Sequence, residues 1–144
     1  MAQQQVAPPS MPYGAPISID TAKTAMAAAE AEATKNKWGV AIAIVDSGGN
    51  LVMLHRLENA QLSATRIAEA KARTAVEFRR PTKVLEDAVA GGGIGLRVLT
   101  FGASVAEGGV PIVAGGRIVG GIGVSGVASQ QDAQVAQAGA SAIK

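Results

Sequence analysis

The sequence predicts an α+β fold in which a mostly antiparallel sheet is covered by helices. Helical and strand-like segments follow one another in the order α-β-β-α-α-β-β-β-α, which gives five strands. Two pairs of strand-like segments are joined by short turn sequences, at 46–50 and 115–116, as is typical of antiparallel hairpins. In a chain of 144 residues, 48% hydrophobic and 17% charged residues indicate one compact domain.

The composition excludes several kinds of functional site. The chain has no cysteine, so disulfides, thiolate catalysis and Cys-ligated zinc or iron–sulfur sites are excluded. The net charge is only +2, and no basic run is interleaved with aromatic residues, which argues against nucleic-acid binding. No apolar stretch approaches the ~18 residues of a membrane span. We therefore expect neither nucleic acid nor a membrane-spanning segment.

Residues 1–16 are predicted to form an extended or disordered arm, and residues 17–144 a single domain. The arm contains four prolines and three glutamines. It lacks the basic and apolar segments of a signal peptide, so we expect a cytoplasmic protein. The arm also resembles the start of a mature exported protein. A periplasmic or secreted location is therefore the alternative, if a leader peptide was removed.

The first helix and the first hairpin are marked by characteristic residues. Ser18 is predicted to cap a helix that runs to about residue 37, with its small apolar side chains on one face. Residues 38–45 form a strand with apolar side chains on both faces, which is typical of a central strand covered on both sides. The turn at 46–50 leads to a return strand at 51–57.

The second half of the chain contains three helices and three strands. A helix at 61–80 ends before Pro81, and a shorter helix at 82–89 is followed by three glycines. The next segments are a short strand at 96–101, then hairpin strands at 110–114 and 117–125. The sequence from Ser129 to Asp132 has the form of a capping box and opens a last helix that runs to 143.

Eight glycines lie among residues 108–126, between Val, Ile and Pro residues. Glycine within a strand is unfavourable, so Gly120, Gly121 and Gly123 indicate a close approach by a packed helix, a partner subunit or a ligand. Residues 121–126 formally match GxGxxG. We reject a dinucleotide site there, because no βαβ unit surrounds the match.

Lys71 is the one charged residue that falls within the apolar stripe of the helix predicted at 61–80. At 100° per residue that stripe contains Ala64, Ala68 and Ala75, and the other charged side chains lie opposite. An unpaired buried ammonium group is unfavourable, so Lys71 needs a carboxylate, carbonyl oxygens or an anionic ligand as its partner. Lys71 is thus either part of a functional site or a structural residue paired with a carboxylate.

His55 is the only histidine and there is no cysteine, which argues against a zinc site with several protein ligands. A single histidine can still bind a heme iron, because the porphyrin supplies four nitrogens. The other interpretation is a hydrogen-bonded histidine in or beside the core. Arg56 can bind a carboxylate or a propionate with two hydrogen bonds, or pair with Glu58 or Asp46.

Two carboxylates are further candidates. Glu107 precedes Gly108 and Gly109, so its side chain either projects from a tight turn into a pocket or is solvated on a loop. We include Gly108 and Gly109 in the predicted cofactor site. Asp132 is either a ligand or general base, or simply a helix-capping residue.

Eight short motifs, in this order along the chain, indicate a family resemblance: Asp46-Ser-Gly-Gly-Asn-Leu-Val, His55-Arg56, Lys71-Ala-x-x-Ala75, Arg80-Pro-Thr82, Gly108-Gly-Val-Pro-Ile, Gly120-Gly-Ile-Gly-Val-Ser-Gly126, Gln131-Asp132 and Ala138-Gly139. With them the chain resembles the GlcG/HbpS-like family over about residues 13–143. That family includes extracellular heme-binding proteins, glycolate-operon proteins and the C-terminal domain of PduO-type corrinoid adenosyltransferases.

The resemblance implies a profilin-like sandwich, assembly into dimers or higher homo-oligomers, and heme binding near subunit interfaces in some members. It does not imply one agreed activity. The leading hypothesis is an oligomeric heme-binding, heme-sensing or heme-handling protein. In it, His55 is the candidate iron ligand, and Arg56 and Lys71 are candidate propionate partners. Met53, Leu57 and Val110 would supply apolar walls.

Two other hypotheses remain. The chain is an enzyme or accessory subunit acting on a small organic acid, with Lys71 as base or carboxylate clamp and Glu107 or Asp132 as its acid–base partner. Alternatively, it is a structural oligomer in which Lys71 completes a subunit interface.

Overall fold

A computed structural model describes residues 11–144 of the chain. The helices are α1 (Ile19–Lys35), α2 (Ala64–Phe78), α3 (Thr82–Ala90) and α4 (Ser129–Ser141). The strands are β1 (Ala41–Asp46), β2 (Leu51–Arg56), β3 (Gly109–Ala114) and β4 (Arg117–Ser125). A 3₁₀ helix, Gly93–Thr100, lies between α3 and β3. The predicted α+β class and the antiparallel sheet are confirmed.

The four strands form one sheet in the order β2-β1-β4-β3, and every neighbouring pair is antiparallel. The two predicted hairpins are present as the β1–β2 and β3–β4 pairs. β1 and β4 lie at the centre, and β2 and β3 form the two edges. Connections within each hairpin are short, so the sheet is built mainly from contacts between neighbours in sequence.

The sheet is covered on both faces. One core cluster joins α1 and α4 to one face, where Ile42, Ile44 and Ile122 are fully buried. The second cluster joins α2 to the opposite face, through small residues such as Ala43 and Ala72. β1 therefore contributes to both cores, as its two apolar faces predicted. None of the helices within residues 11–144 is both long enough and apolar enough to cross a membrane.

The glycines of β4 allow α2 to lie directly on the sheet. A Cβ atom at Gly123 would collide with the backbone of Ala68 and Ala72, and one at Gly121 would lie 2.6 Å from the carbonyl oxygen of Ala72. The predicted close approach at Gly121 and Gly123 is therefore made by a packed helix of the same chain, whereas a Cβ atom at Gly120 would collide with the Val45 carbonyl oxygen of β1. Alanines on α2 and glycines on β4 together shorten the distance between the layers.

The fifth predicted strand, at 96–101, is wrong. Most of this segment belongs to the 3₁₀ helix Gly93–Thr100, so the described residues form a four-stranded sheet. Gly92 and Gly93 have φ values of 69° and 58°, and this left-handed backbone begins a tight helical turn. The apolar residues of the segment are exposed on the 3₁₀ helix and are not packed in a sheet. A run of apolar residues does not by itself distinguish these two cases.

The cap of α1 is confirmed, but the cap of α4 differs from the prediction. The Ser18 hydroxyl accepts a hydrogen bond from the backbone N–H of Thr21 at 3.1 Å. At α4 the N-cap residue is Ala128, not Ser129. The Gln131 side chain accepts a hydrogen bond from the Ala128 N–H at 3.2 Å, so half of a capping box forms one residue earlier than predicted.

The predicted arm at 1–16 is only partly described, because residues 1–10 lie outside the described residues. Tyr13 forms an isolated parallel bridge with Ile118, beyond the end of β1. The Tyr13 hydroxyl donates to the carbonyl oxygen of Val76 at 2.7 Å, and the Arg79 guanidinium lies 5.1 Å from its ring centre. This part of the arm is therefore attached to both β4 and the end of α2.

Candidate functional site

The predicted site residues lie at one end of the sheet, but at two different edges. Arg56, at the end of β2, pairs with Ala41, which pairs with Ser125 at the end of β4. Gly109, at the start of β3, pairs with Gly123. Since neighbouring strands are about 4.8 Å apart, β2 and β3 are separated by about 14 Å. Arg56 and Glu107 therefore do not belong to one pocket within the monomer.

At the β3 edge, Lys71 and Asp132 form a buried ion pair. Lys71 Nζ donates to Asp132 Oδ2 at 3.1 Å and to the Val124 carbonyl oxygen at 2.9 Å. Their side chains are only 2% and 3% exposed. The expectation that Lys71 needs a carboxylate or carbonyl partner is confirmed, and it has both.

At the end of the β3–β4 ladder, Lys71 of the ion pair supplies a hydrogen bond that a neighbouring strand would otherwise donate. The last ladder contact is the hydrogen bond from the Val124 N–H to the Gly108 carbonyl oxygen, at 2.9 Å. Beyond it, Lys71 Nζ supplies the donor for the Val124 carbonyl. Asp132 Oδ1 accepts from the Val127 N–H at 3.1 Å, which connects the pair to the loop before α4. The pair thus joins α2, β4 and α4.

Glycine is required directly above this pair. Gly108 has φ of 137°, and a Cβ atom there would lie 2.7 Å from Lys71 Nζ and 2.8 Å from the Val124 carbonyl oxygen. The next residue, Gly109, donates its N–H to the buried Thr82 hydroxyl at 2.9 Å. Gly108 and Gly109 therefore let the start of β3 pass over Lys71 and contact the start of α3.

Burial raises the pKa of the Asp132 carboxyl above its ordinary value of 3.8. The positive charge of Lys71 and the hydrogen bond from the Val127 N–H act in the opposite direction but do not cancel this effect. The polar atoms of the pair are satisfied by each other and by the backbone. This geometry favours a structural role for Lys71 and Asp132 over that of a free base or carboxylate clamp.

At the β2 edge, His55 contacts α1. Its Nδ1 atom is hydrogen-bonded to the carboxylate of Glu30, and the His55 side chain is 47% exposed. In the neutral tautomer with the proton on Nδ1, the ring donates to Glu30 and leaves the Nε2 lone pair available. A carboxylate in this position orients metal-binding histidines in many proteins.

A cleft of about 570 Å³, which we call the Arg56 cleft, lies at this edge of the sheet. Its lining residues come from the end of α1, the residues before β1 and the residues after β2: Thr34, Lys37, Trp38, Gly39, Arg56, Leu57, Glu58 and Asn59. Neither His55 nor Glu30 is among the lining residues. Thr34 lies one helical turn after Glu30, and Leu57 lies two residues after His55, so the pair is close to the cleft along both segments.

Glu107 lies at the other edge, in a smaller cleft of about 350 Å³ that we call the Glu107 cleft. It is lined by Pro81, Lys83, Glu107, Gly108, Gly109, Val110, Gln130, Ala133, Gln134 and Gln137. The backbone N–H of Glu107 donates to the Glu86 carboxylate at 3.0 Å. Of the predicted cofactor residues, Glu107, Gly108 and Gly109 thus share one cleft, and Arg56 lines the other.

Several residues of these clefts were missed by sequence reasoning. Glu30 is half-buried on α1, and nothing in its sequence context indicates a partner 25 residues away on β2. Lys37 and Trp38 follow the helix and join Arg56 only through the fold. Thr82 was singled out as part of a motif, without a role. Residues 11–144 contain no group of three or more His, Cys, Asp or Glu residues that could hold a metal ion.

Comparison with known proteins gives a consistent result. Residues 17–141 match the family described as "Haem degrading protein HbpS-like". Protein GlcG of Escherichia coli strain K12 is 42% identical over 109 residues, which cover 76% of this chain and 81% of GlcG.

Solved structures show the same fold. A double mutant of Streptomyces reticuli HbpS superposes with a TM-score of 0.83 and 29% identity, covering 100% of this chain and 98% of that one. A structure described as a PduOC:heme complex gives a TM-score of 0.80 and 30% identity, covering 90% of this chain and 96% of that one. The fold of this chain is therefore shared with a protein whose structure contains heme.

Proposed function

The chain belongs to the HbpS-like family, and from this premise we propose that it binds heme in the Arg56 cleft, with His55 as the axial ligand. The observation that carries the proposal is the hydrogen bond between His55 Nδ1 and the Glu30 carboxylate, one turn of α1 before Thr34 of that cleft. It orients the imidazole and leaves Nε2 as the atom that would bind iron.

The charges of the cleft fit the two propionates of heme. Arg56 and Lys37 are cationic, and Glu58 is the single carboxylate among the lining residues. An Arg guanidinium can donate two parallel hydrogen bonds to a carboxylate, and a Lys ammonium adds a second positive charge. Lys71, the other predicted propionate partner, is buried with Asp132 at the opposite edge, so this role passes to Lys37.

The remaining walls fit the apolar face of a porphyrin. Trp38 and Leu57 line the cleft and also pack against the core cluster beneath α1. The volume of about 570 Å³ lies within the range of roughly 300–1,000 Å³ typical of small-molecule sites. When bound, heme supplies an iron centre whose reactivity depends on its axial ligand and on the groups that hydrogen-bond to that ligand. His55 and Glu30 would fill these two roles.

We also propose that the protein is a homo-oligomer. The resemblance implies assembly, and the structure contains a surface that suits it: an apolar face formed by α3 and the 3₁₀ helix. Its large exposed side chains are those of Val84, Ile94, Leu96, Leu99 and Phe101. Ile94 is 73% exposed, and Arg97 is the single charge between Asp87 and Glu107. Several exposed apolar side chains close together along the chain favour a protein contact, and we assign a second copy of this chain as the occupant.

The proposal is tested by titrating the purified protein with hemin and following the Soret band. We expect a saturable, red-shifted band for the wild type that is lost in His55→Ala and weakened in Arg56→Gln. Lys23→Met is the control, because it removes an exposed positive charge on α1 away from the cleft. Saturation that survives in His55→Ala would move the iron ligand elsewhere. The absence of a saturable shift in the wild type would exclude heme binding.

A further inference from the structure

The Glu107 cleft is a second concave site that the proposed heme site does not use. Its floor is the backbone of Gly108 and Gly109, and one wall is the face of α4 that presents Gln130, Ala133 and Gln137. Its volume of about 350 Å³ is near the lower limit of roughly 300 Å³ for ligand pockets. The cleft is thus suited to a molecule smaller than a porphyrin.

The cleft presents free hydrogen-bond acceptors beside amide and ammonium donors. The Gln134 amide donates through Nε2 to Glu32 at 2.6 Å, and the Gln137 amide donates through Nε2 to Ser141 at 2.9 Å. Both glutamines keep their carbonyl oxygens available, since no hydrogen bond to these atoms is present within residues 11–144. The Glu107 carboxylate adds two more acceptor oxygens.

The charges around the cleft disfavour an anion. Lys83 is the one cation in the lining, and its Nζ atom lies 3.2 Å from the Asp87 carboxylate. The hydrogen bond to Asp87, together with the negative charges of Asp87, Glu107 and Glu86, raises the pKa of Lys83. One cation thus faces three carboxylates. A ligand carboxylate would bring more negative charge and no hydrogen-bond donor.

From these contacts we infer that the Glu107 cleft binds a small, neutral, polyhydroxylated molecule. Hydroxyl groups donate to the Glu107 carboxylate and to the carbonyl oxygens of Gln134 and Gln137, and accept from Lys83. The carbon skeleton lies on Val110 and Ala133. The site differs from the predicted organic-acid site in its ligand, because the buried Lys71 is not available to a carboxylate.

The inference is tested with xylitol and its matched acid, xylonate, on the full-length ¹⁵N-labelled protein. We expect xylitol to produce saturable shifts in the amide signals of Gly108, Gly109 and the α4 glutamine side chains. Xylonate should bind more weakly. Glu107→Gln should weaken xylitol binding about tenfold, as expected for the loss of a charged acceptor, and should reduce the preference for xylitol over xylonate.

A pair of leucine substitutions, one on α4 and one at the residue just after it, serves as a steric test. Ala133→Leu should fill the cleft and abolish the xylitol shifts, whereas Ala142→Leu, at an exposed residue outside the cleft, should leave them unchanged. Equal shifts in the two variants, tighter binding of xylonate, or no saturation in the wild type would each overturn the inference. Hemin binding at the Arg56 cleft should be the same in both variants, so failure of one proposal is distinguishable from failure of the other.

Discussion

Lys71 and Asp132 form an ion pair that closes one end of the sheet. Lys71 Nζ lies 3.1 Å from Asp132 Oδ2, and both side chains are almost completely buried. Because Lys71 also donates to the Val124 carbonyl oxygen and Asp132 accepts from the Val127 N–H, the pair connects a helix, a strand end and a loop. Removing one partner leaves the other charge buried without a counter-ion, so it should destabilise the fold more than replacing both partners.

Lys71→Met is expected to destabilise the protein by about 3–5 kcal/mol at neutral pH, since it leaves the Asp132 carboxylate buried without a counter-ion. The double variant with Asp132→Asn should recover most of this loss, because it removes the remaining charge. Urea unfolding followed by circular dichroism measures both effects. Lys83→Met serves as control, because its i,i+4 pair with Asp87 is exposed and screened by solvent, so its loss should change stability little. A single variant as stable as the control would contradict this account.

The stability of Lys71→Met should depend on pH in a defined direction. Burial already raises the folded-state pKa of Asp132 above its ordinary value of 3.8, and loss of the lysine raises it further. Between the unfolded-state and folded-state pKa values, the folded protein binds more protons, so this group favours folding more as the pH falls. The difference in unfolding free energy between wild type and variant should therefore shrink from pH 7 towards pH 4. A difference that grows over this range would contradict the assignment.

Lys71 illustrates how far the candidate site could be predicted from the sequence. Helical periodicity is a local property, so a lysine within an apolar stripe was visible, and so was its need for a partner. The identity of that partner was not, because Asp132 lies 61 residues away on α4 and meets Lys71 only because α2 and α4 both pack against β4. For the same reason the sequence could not show that Arg56 and Glu107 lie at opposite edges of the sheet, because their separation depends on the order in which the strands pair.

Gly108→Ala should cost about 2 kcal/mol or more, because strain at positive φ adds to a steric collision. The new Cβ atom would lie 2.7 Å from Lys71 Nζ. Gly115→Ala is the matched control, since Gly115 also has positive φ, at 59°, but has no atom within 4 Å of the added Cβ. Thermal unfolding should show a larger loss for Gly108→Ala. Equal losses would mean that the contact with the ion pair adds nothing.

Local rules predicted most of the fold and failed at identifiable places. The Ser18 cap, the central β1 strand and both hairpins depend on neighbouring residues, and these predictions are confirmed. The segment 96–101 was misassigned because its apolar side chains are exposed, whereas the pattern was interpreted as that of a buried strand. The description of the sandwich as profilin-like and the cytoplasmic location stay predictions.

Leu99→Asp should shift the protein from oligomer to monomer if copies associate through the apolar face. Leu99 is 58% exposed within that face, and a carboxylate there would have to be desolvated on association. Leu62→Asp is the control, because Leu62 is 90% exposed but precedes α2, outside the face. Light scattering coupled to size-exclusion chromatography gives the mass of each variant. A monomeric wild type, or equal masses for the two variants, would contradict the assigned interface.

Glu30→Gln should weaken hemin binding about 10- to 100-fold, the usual effect of removing the group that orients a metal-binding histidine. The amide keeps the size of the side chain, but its carbonyl oxygen is a weaker acceptor for the His55 Nδ1 proton than a carboxylate. The Soret titration measures the affinity, and the reduction potential of the bound heme should also rise, because a less basic imidazole stabilises the ferric state less.

Glu32→Gln, two residues along the same helix and on a different face, is the matched control for Glu30→Gln. Glu32 is hydrogen-bonded to Gln134 and Asn36 and paired with Lys35, but it does not contact His55. It should therefore leave both affinity and potential unchanged. If His55→Ala abolishes binding while Glu30→Gln changes neither quantity, His55 is still the ligand, but its orientation comes from the strand alone. Equal weakening in the two glutamine variants would instead indicate a general charge effect of α1 and would contradict the specific role of Glu30.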